Sequence, residues 1–413
     1  MKRKMVASLM TLAMTASVFG GFTTVAQAED DVTLSMWVWD DAQVPAIQAM
    51  IDEFQEANPN IKIEITSIAG VTDYNTKMQS VIGTADAPEI FWMNFNLAKE
   101  YIPMGFVQDL TEWIDGDESF DLSGLNAGIT DAYTVDGSVY GIAKDTDAYA
   151  VFYNKALFDE AGVEYPSDSW TTDDFAEITK NLTTDAVKGF ANSTSDRVWY
   201  NFMYAFGGSP YTEDGSAPNV NSEGSVAAVQ YLMDLMNGGY TFTGPELTEI
   251  SSNVAFESNM CAMVIDGSWM VSEFATALGD NLGIAELPEG PAGRGSCGHG
   301  IAYATTTSNE HPEETWKFLS YLGSDAAQEK QVEVVIPAAN AGASIWEAVY
   351  PNLNLTAFVN ALSYNKPFLG TVNATAARTT FQEYQANVLA GMYADAQEAM
   401  DATQAAMESA MAQ

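Results

Sequence analysis

Ile61-Lys62-Ile63-Glu64-Ile65-Thr66 decides the fold, because three β-branched apolar residues alternate with Lys, Glu and Thr. That period of two marks a strand with one buried face and one wet face. Just upstream, Ile47, Met50, Ile51 and Phe54 recur at helical spacing within residues 44–57, with Pro45 near the start and Asn58-Pro59 closing the segment. Earlier still, Val32–Trp39 is rich in β-formers. Downstream, a second helical stretch surrounds Met78 to Ile82, and Ala87-Pro88 leads into the apolar run Ile90-Phe91-Trp92-Met93. Strand, helix, strand, helix, strand predicts parallel pairing with right-handed crossovers. Ligands of such open sheets sit beyond the carboxyl ends of the strands. Trp39-Asp40-Asp41 and Trp92-Met93-Asn94 occupy those ends.

Farther along, Gly137-Ser138-Val139-Tyr140-Gly141 reads as a hairpin, and Asp145 to Lys155 as an extended run entering a helix at Ala156–Ala161. Helices are expected near 171–181, 222–237, 311–322 and 378–411. No internal repeat and no low-complexity linker interrupts the chain. Lobes joined by several short crossings fit that pattern.

Acidic residues number 56 against 16 Lys and Arg, a formal charge of −40 over 413 residues. Such a surface repels phosphate backbones and excludes nucleic acid as a partner. Basic residues are scattered singly after residue 4, which also argues against an anionic ligand. At 47% hydrophobic and 11% aromatic, the chain has enough apolar mass for a large core. With His299 and His311 the only histidines, most zinc and His-based catalytic sites are excluded. Asp115, Asp117 and Glu118 lack a calcium loop, so no metal and no cofactor is expected.

Lys2, Arg3 and Lys4 precede an apolar stretch from Met5 to about Phe22, and Ala26-Gln27-Ala28 follows as a small-x-small site. The three parts predict a signal peptide over residues 1–28, and hence a periplasmic or secreted protein. The first cysteine is Cys261, so there is no cysteine at the cleavage site to carry lipid. Cys261 and Cys297 would meet an oxidising compartment, which favours a bridge over two buried thiols, although spacing alone does not decide between them.

Six segments in order resemble the extracellular solute-binding proteins of carbohydrate ABC importers, the maltose-binding-protein-like family. They are Leu34–Trp39, Phe54–Ile63, Ala85–Trp92, Phe152–Gly162, Ala262–Trp269 and Glu314–Leu319. The resemblance implies a two-lobed α/β fold, each lobe a mainly parallel sheet flanked by helices. It further implies three hinge crossings and a cleft that closes on ligand. The expected division is 29–146 plus 302–342 for the N-terminal lobe and 147–301 plus 343–413 for the C-terminal lobe. The implied function is capture of a neutral mono- or oligosaccharide for a membrane permease, by a monomeric protein that is not an enzyme.

A pyranose offers an apolar C–H face to Trp and Tyr rings and a rim of hydroxyls to carboxylates and amides. By family position, Trp92 and Trp269 resemble ring-stacking platforms. Asp147 falls where the family places a hydroxyl-binding carboxylate, and a carboxylate amid Ala148, Tyr149 and Val151 is costly to bury without a role. Trp199 is a candidate stacking residue of the second lobe. Trp39 with Asp40 and Asp41 stands at the first strand end, Trp39 and Asp41 being taken as ligand-binding, where a solvated turn with a partly buried Trp is the competing reading. Asn94, Tyr149 and Arg378 complete the ligand-binding set. Trp113, Trp170 and Trp316 are assigned to structure. Gly293-Arg294-Gly295-Ser296-Cys297-Gly298 fits the dinucleotide fingerprint in spacing but lacks the strand-to-helix context, so it reads as a flexible loop. His299 beside it reads as structural or solvated rather than lining the cleft. The rival class is a secreted glycoside hydrolase, for which paired carboxylates suffice. With so many acids, such pairs carry no information.

Overall fold

Strand β1 (Val32–Val38) buries Leu34, Met36 and Val38 and pairs in parallel with β2 (Ile61–Ser67) and β3 (Ile90–Met93). The computed structural model describes residues 31–366 and 373–412, so the expected signal peptide lies outside the described residues. The helix Val44–Ala57 connects β1 to β2 and buries Ile47, Met50, Ile51 and Phe54, the stripe its spacing predicts. Then follow β4 (Thr134–Val135), β5 (Ser138–Val139), β6 (Ile142–Ala143), β7 (Asp145–Thr146) and β8 (Tyr149–Asn154). The remaining strands are β9 (Lys188–Ala191), β10 (Cys261–Gly267), β11 (Leu282–Ala285), β12 (Ala302–Thr305) and β13 (Ile336–Pro337). β4 and β5 form the expected hairpin, turning through Asp136 and Gly137 at positive φ.

Among the described residues the two larger sheets have the orders β2-β1-β3-β12-β6 and β11-β8-β10-β9. Each backs onto its own apolar core, the first around Met36, Phe54 and Phe91, the second around Phe152, Phe175 and Phe202. The sheets are mixed rather than mainly parallel. In the first, β12 runs antiparallel to both β3 and β6; in the second only β10 and β9 are parallel. The crossings are the cause. Strands that leave them, β8 and β12, run against neighbours that arrive there.

The chain passes between the two cores three times, and the crossings form a narrow sheet of their own. β7 pairs antiparallel with β13, Asp147 N donates to His299 O at 2.5 Å, and Lys144 N donates to Ile301 O at 2.9 Å. The close approach demands glycine. A Cβ on Gly300 would lie 1.9 Å from Asp145 O, and one on Gly298 would lie 2.2 Å from Asp147 O. The segment read as a flexible dinucleotide-like loop is indeed a loop, but Gly295 to Gly298 are buried in this junction.

Two further expectations are corrected. The helix expected over 378–411 is two helices, Ala374–Leu389 and Ala396–Met411, broken where Gly391 turns left-handed (φ 70°) and Asp395 caps the second. Cys261 and Cys297 are both free and buried. Cys261 opens β10, whereas Cys297 follows Ser296, whose hydroxyl accepts a hydrogen bond from Tyr149 N opposite the other end of that strand. A strand of this length separates its ends by about 20 Å, far beyond disulfide reach. Burial pushes both thiols up, Cys297 to about 12.

Candidate functional site

Between the two sheets lies a cleft of about 810 Å³, floored by the crossings at Asp145, Thr146, Asp147, His299 and Ile301. Its first-lobe face grows from the ends of β1 and β3. Trp39, half-buried, stands edge-on to Tyr74 (5.0 Å, 66°) and to Trp92 (4.9 Å, 83°). Trp92 itself is 0% exposed and does not reach the cleft, contrary to its expected stacking role. The run Ile90–Met93 is buried throughout because β3 is an inner strand covered on both faces. Trp39 lines the cleft, and Trp92 packs against it from beneath.

Next to Trp39 the chain turns tightly. Asp40 accepts hydrogen bonds from Ala42 N at 2.9 Å and Gln43 Nε2 at 2.8 Å, capping the short turn Asp41–Gln43. That turn points Asp41 away, where it accepts from the Ser67 hydroxyl in solvent, so Asp40 lines the cleft and Asp41 does not. The site is offset by one residue from the expectation. Asn94 lines the cleft as expected, capping the helix Phe95–Tyr101 by accepting from Leu97 N at 3.1 Å.

The second-lobe face is built around ion pairs. Arg197, in the first turn of the helix Asp196–Ala205, reaches Asp147 Oδ2 at 3.8 Å and His299 Nε2 at 3.4 Å. Its guanidinium lies 5.1 Å from the centre of the Trp269 ring and 5.5 Å from that of Tyr149. Asp147 Oδ1 accepts from His299 N at 2.7 Å, and His299 Nδ1 lies 3.4 Å from Asp147 Oδ2. Burial opposes ionisation of Asp147, but His299 and Arg197 outweigh it and hold the carboxyl below the usual carboxylate range. Arg378 clamps Asp196 through two hydrogen bonds of 2.7 and 2.9 Å, and also lines the cleft.

Asp147, Trp269 and Arg378 therefore converge with Trp39 and Asn94, as expected. Tyr149 and Trp199 do not. Tyr149 is 1% exposed and braces Trp269 edge-to-face at 5.4 Å. Trp199 is 1% exposed and donates its indole N–H to Ser193 O at 3.2 Å inside the core. Two residues along a helix rotate a side chain by about 200°, so a helix that offers Arg197 to the cleft must turn Trp199 away. His299 faces the cleft rather than standing aside from it.

Arg197 and Gln43 are residues the sequence reading missed, and Asp40 was passed over for its neighbour Asp41. A cation in the first turn of an aromatic-rich helix, where the dipole disfavours it, was the available signal for Arg197. Three basic groups scattered in sequence come together at or beneath the cleft, each against a carboxylate: Arg197 on Asp147, Arg378 on Asp196, and the buried Lys144 on Asp145. The pairing leaves the site rich in donors and acceptors without a free cationic patch.

The sequence model of the bacterial extracellular solute-binding protein family matches residues 40–329. The chain belongs to that family. A binding protein of Brucella abortus is 27% identical over 207 residues, 46% of this chain and 47% of that relative, so the chain spans about half the length of the curated relatives it first matches. The multiple sugar-binding protein of Streptococcus mutans is 21% identical over 330 residues, 74% of each chain. Among solved structures, an ABC substrate-binding protein of Listeria monocytogenes in complex with cycloalternan superposes with a TM-score of 0.86 at 25% identity, covering 93% of this chain and all of that one. The architecture of this solute-binding protein is thus the two-lobed α/β one its ordered segments implied. Among the described residues no helix is long and apolar enough to cross a membrane.

Proposed function

We propose that this solute-binding protein captures a neutral mono- or oligosaccharide in the interlobe cleft and delivers it to the permease of an ABC importer. The observation that carries the reading is an indole platform, Trp39, facing the same cleft as charge-paired Asp147, Arg197 and Arg378. A ring face and fixed polar groups are what a pyranose requires, and self-paired ions suit a ligand without charge. The sugar-binding names of several relatives support the same class. In this reading the protein is a monomer of the periplasm or external medium, freed by cleavage after Ala28, and it returns its ligand unchanged.

The lobes divide at 29–146 plus 302–342 and 147–301 plus 343–413, and they close about the crossings on a sugar that touches both faces. Packing of Ala338 in the first core and of Trp346 in the second supports a third crossing there, within which Ile336 already reaches the second core. Incubation of the mature protein with neutral oligosaccharides tests the proposal. A ligand-dependent rise in melting temperature without released reducing ends is expected. New reducing ends would make it a hydrolase instead.

A further inference from the structure

Lys144 is wholly buried in the first crossing. A buried ammonium is tolerated only where its field and its donors are answered. Lys144 Nζ donates to Asp145 Oδ2 and to Gln43 Oε1, both at 2.7 Å, and sits 4.6 Å from the centre of the Trp92 ring. Asp145 is itself fixed, since its other oxygen accepts from Ile301 N at 2.9 Å. Gln43 is the informative partner. An ammonium has donors and no acceptor, so it must face the amide carbonyl. The Gln43 NH₂ is thereby turned to Asp40 Oδ2, its 2.8 Å acceptor at the cleft wall.

We propose that Lys144 is a positioning residue for ligand capture, aligning both Trp39 and Asp40, the stacking and the hydrogen-bonding halves of the first-lobe face. One route runs through Trp92, whose ring meets both the ammonium (4.6 Å) and Trp39 (4.9 Å). The other runs through Gln43, which presents a donor to a carboxylate that the ammonium does not touch. With Ala42 N on one oxygen and Gln43 on the other, Asp40 is held in one orientation, each oxygen keeping capacity for a sugar hydroxyl. Lys144 also lies in the crossing itself, with its N–H donating to Ile301 O and its carbonyl accepting from Ala338 N and Gln331 Nε2. The groups that receive the sugar are therefore tied to the segments about which the lobes move.

The inference rests on the proposed sugar-binding function, and its test separates the two. Affinity is measured by calorimetry on the mature protein against neutral glycans including maltose, cycloalternan, arabinooligosaccharides and galactooligosaccharides. Gln43→Glu keeps an acceptor for Lys144 but sets a carboxylate rather than a donor against Asp40, so it should still fold, with a melting temperature at or below that of the wild type. It should nevertheless bind the best glycan roughly tenfold or more weakly. Adding Asp40→Asn restores a donor between the two side chains, so the double variant should lose less than the two single losses combined. Lys144→Met should weaken binding to at least the extent of Gln43→Glu. Wild-type affinity in Gln43→Glu, or additive losses in the double variant, would overturn the positioning role while leaving sugar binding intact. A wild-type protein that binds none of the glycans would overturn both.

Discussion

The two faces of the cleft are assembled differently. On the first lobe, Trp39, Asp40 and Gln43 are sequence neighbours at one strand end, joined by Asn94 from the adjoining one. On the second, Arg197, Trp269 and Arg378 come from three separated segments and are held by ion pairs and ring contacts. The first face takes most of its residues from one turn and leans on a single buried ammonium, Lys144, whereas the second is assembled throughout from long-range ion pairs. Trp39 keeps its cleft side on an apolar base, whereas Trp269 already has a guanidinium over its ring. The first face should therefore contribute more of the stacking energy, and the second more of the charge-assisted hydrogen bonding.

The sharpest contrast lies within the first face. Trp92→Ala empties a fully buried site and should cost about 3–5 kcal/mol of stability by chemical denaturation. Trp39→Ala should cost far less stability but weaken sugar roughly tenfold, the scale of a lost stacking contact. Equal stability losses would erase the distinction between support and platform. On the second face, Asp147→Ala leaves Arg197 without its carboxylate and removes an acceptor for hydroxyls. Calorimetry should show a loss of about 2 kcal/mol in affinity. Acid should act in the same direction. The Asp147 carboxyl is held below its ordinary range, so its contribution is present above ordinary carboxylate values and lost as pH falls through its own lower value.

Trp269→Ala should weaken sugar less than Trp39→Ala does, by a few-fold, because Arg197 already occupies part of its ring surface. If Trp269 proved the stronger stacking partner, the division of labour between the faces would be reversed. The smallest effect concerns Asp266, which burial pushes up to about 6 despite a hydrogen bond from Gly267 N. Its raised value means that full stability is present below the ordinary carboxylate range and is lost as pH rises to about 6. Asp266→Asn should match the wild type in melting temperature near pH 4 and exceed it above pH 6.

Much of the first face was legible because its signals are local. Alternation at Ile61–Thr66 and the helical stripe at 44–57 fix the order of strands, and strand ends fix Trp39 and Asn94. Trp92 was misplaced although its own four-residue apolar run signals burial on both sides. Asp41 was chosen over Asp40 because a capping turn, rather than composition, decides which carboxylate faces inward. The second face was less readable. Nothing near Arg378 announces Asp196, and on the first face nothing near Gln43 announces Lys144, since these partners lie 182 and 101 residues apart. The disulfide expectation failed for the same reason, because the distance between Cys261 and Cys297 depends on which end of β10 each one meets.

Titration of the mature protein with neutral oligosaccharides, wild type beside Trp39→Ala and Asp147→Ala, tests the central claim most directly. Saturable one-to-one binding that falls at least several-fold in each variant, without change in the sugar recovered, is the predicted result. Binding of equal strength in all three proteins, or none in the wild type, would contradict it.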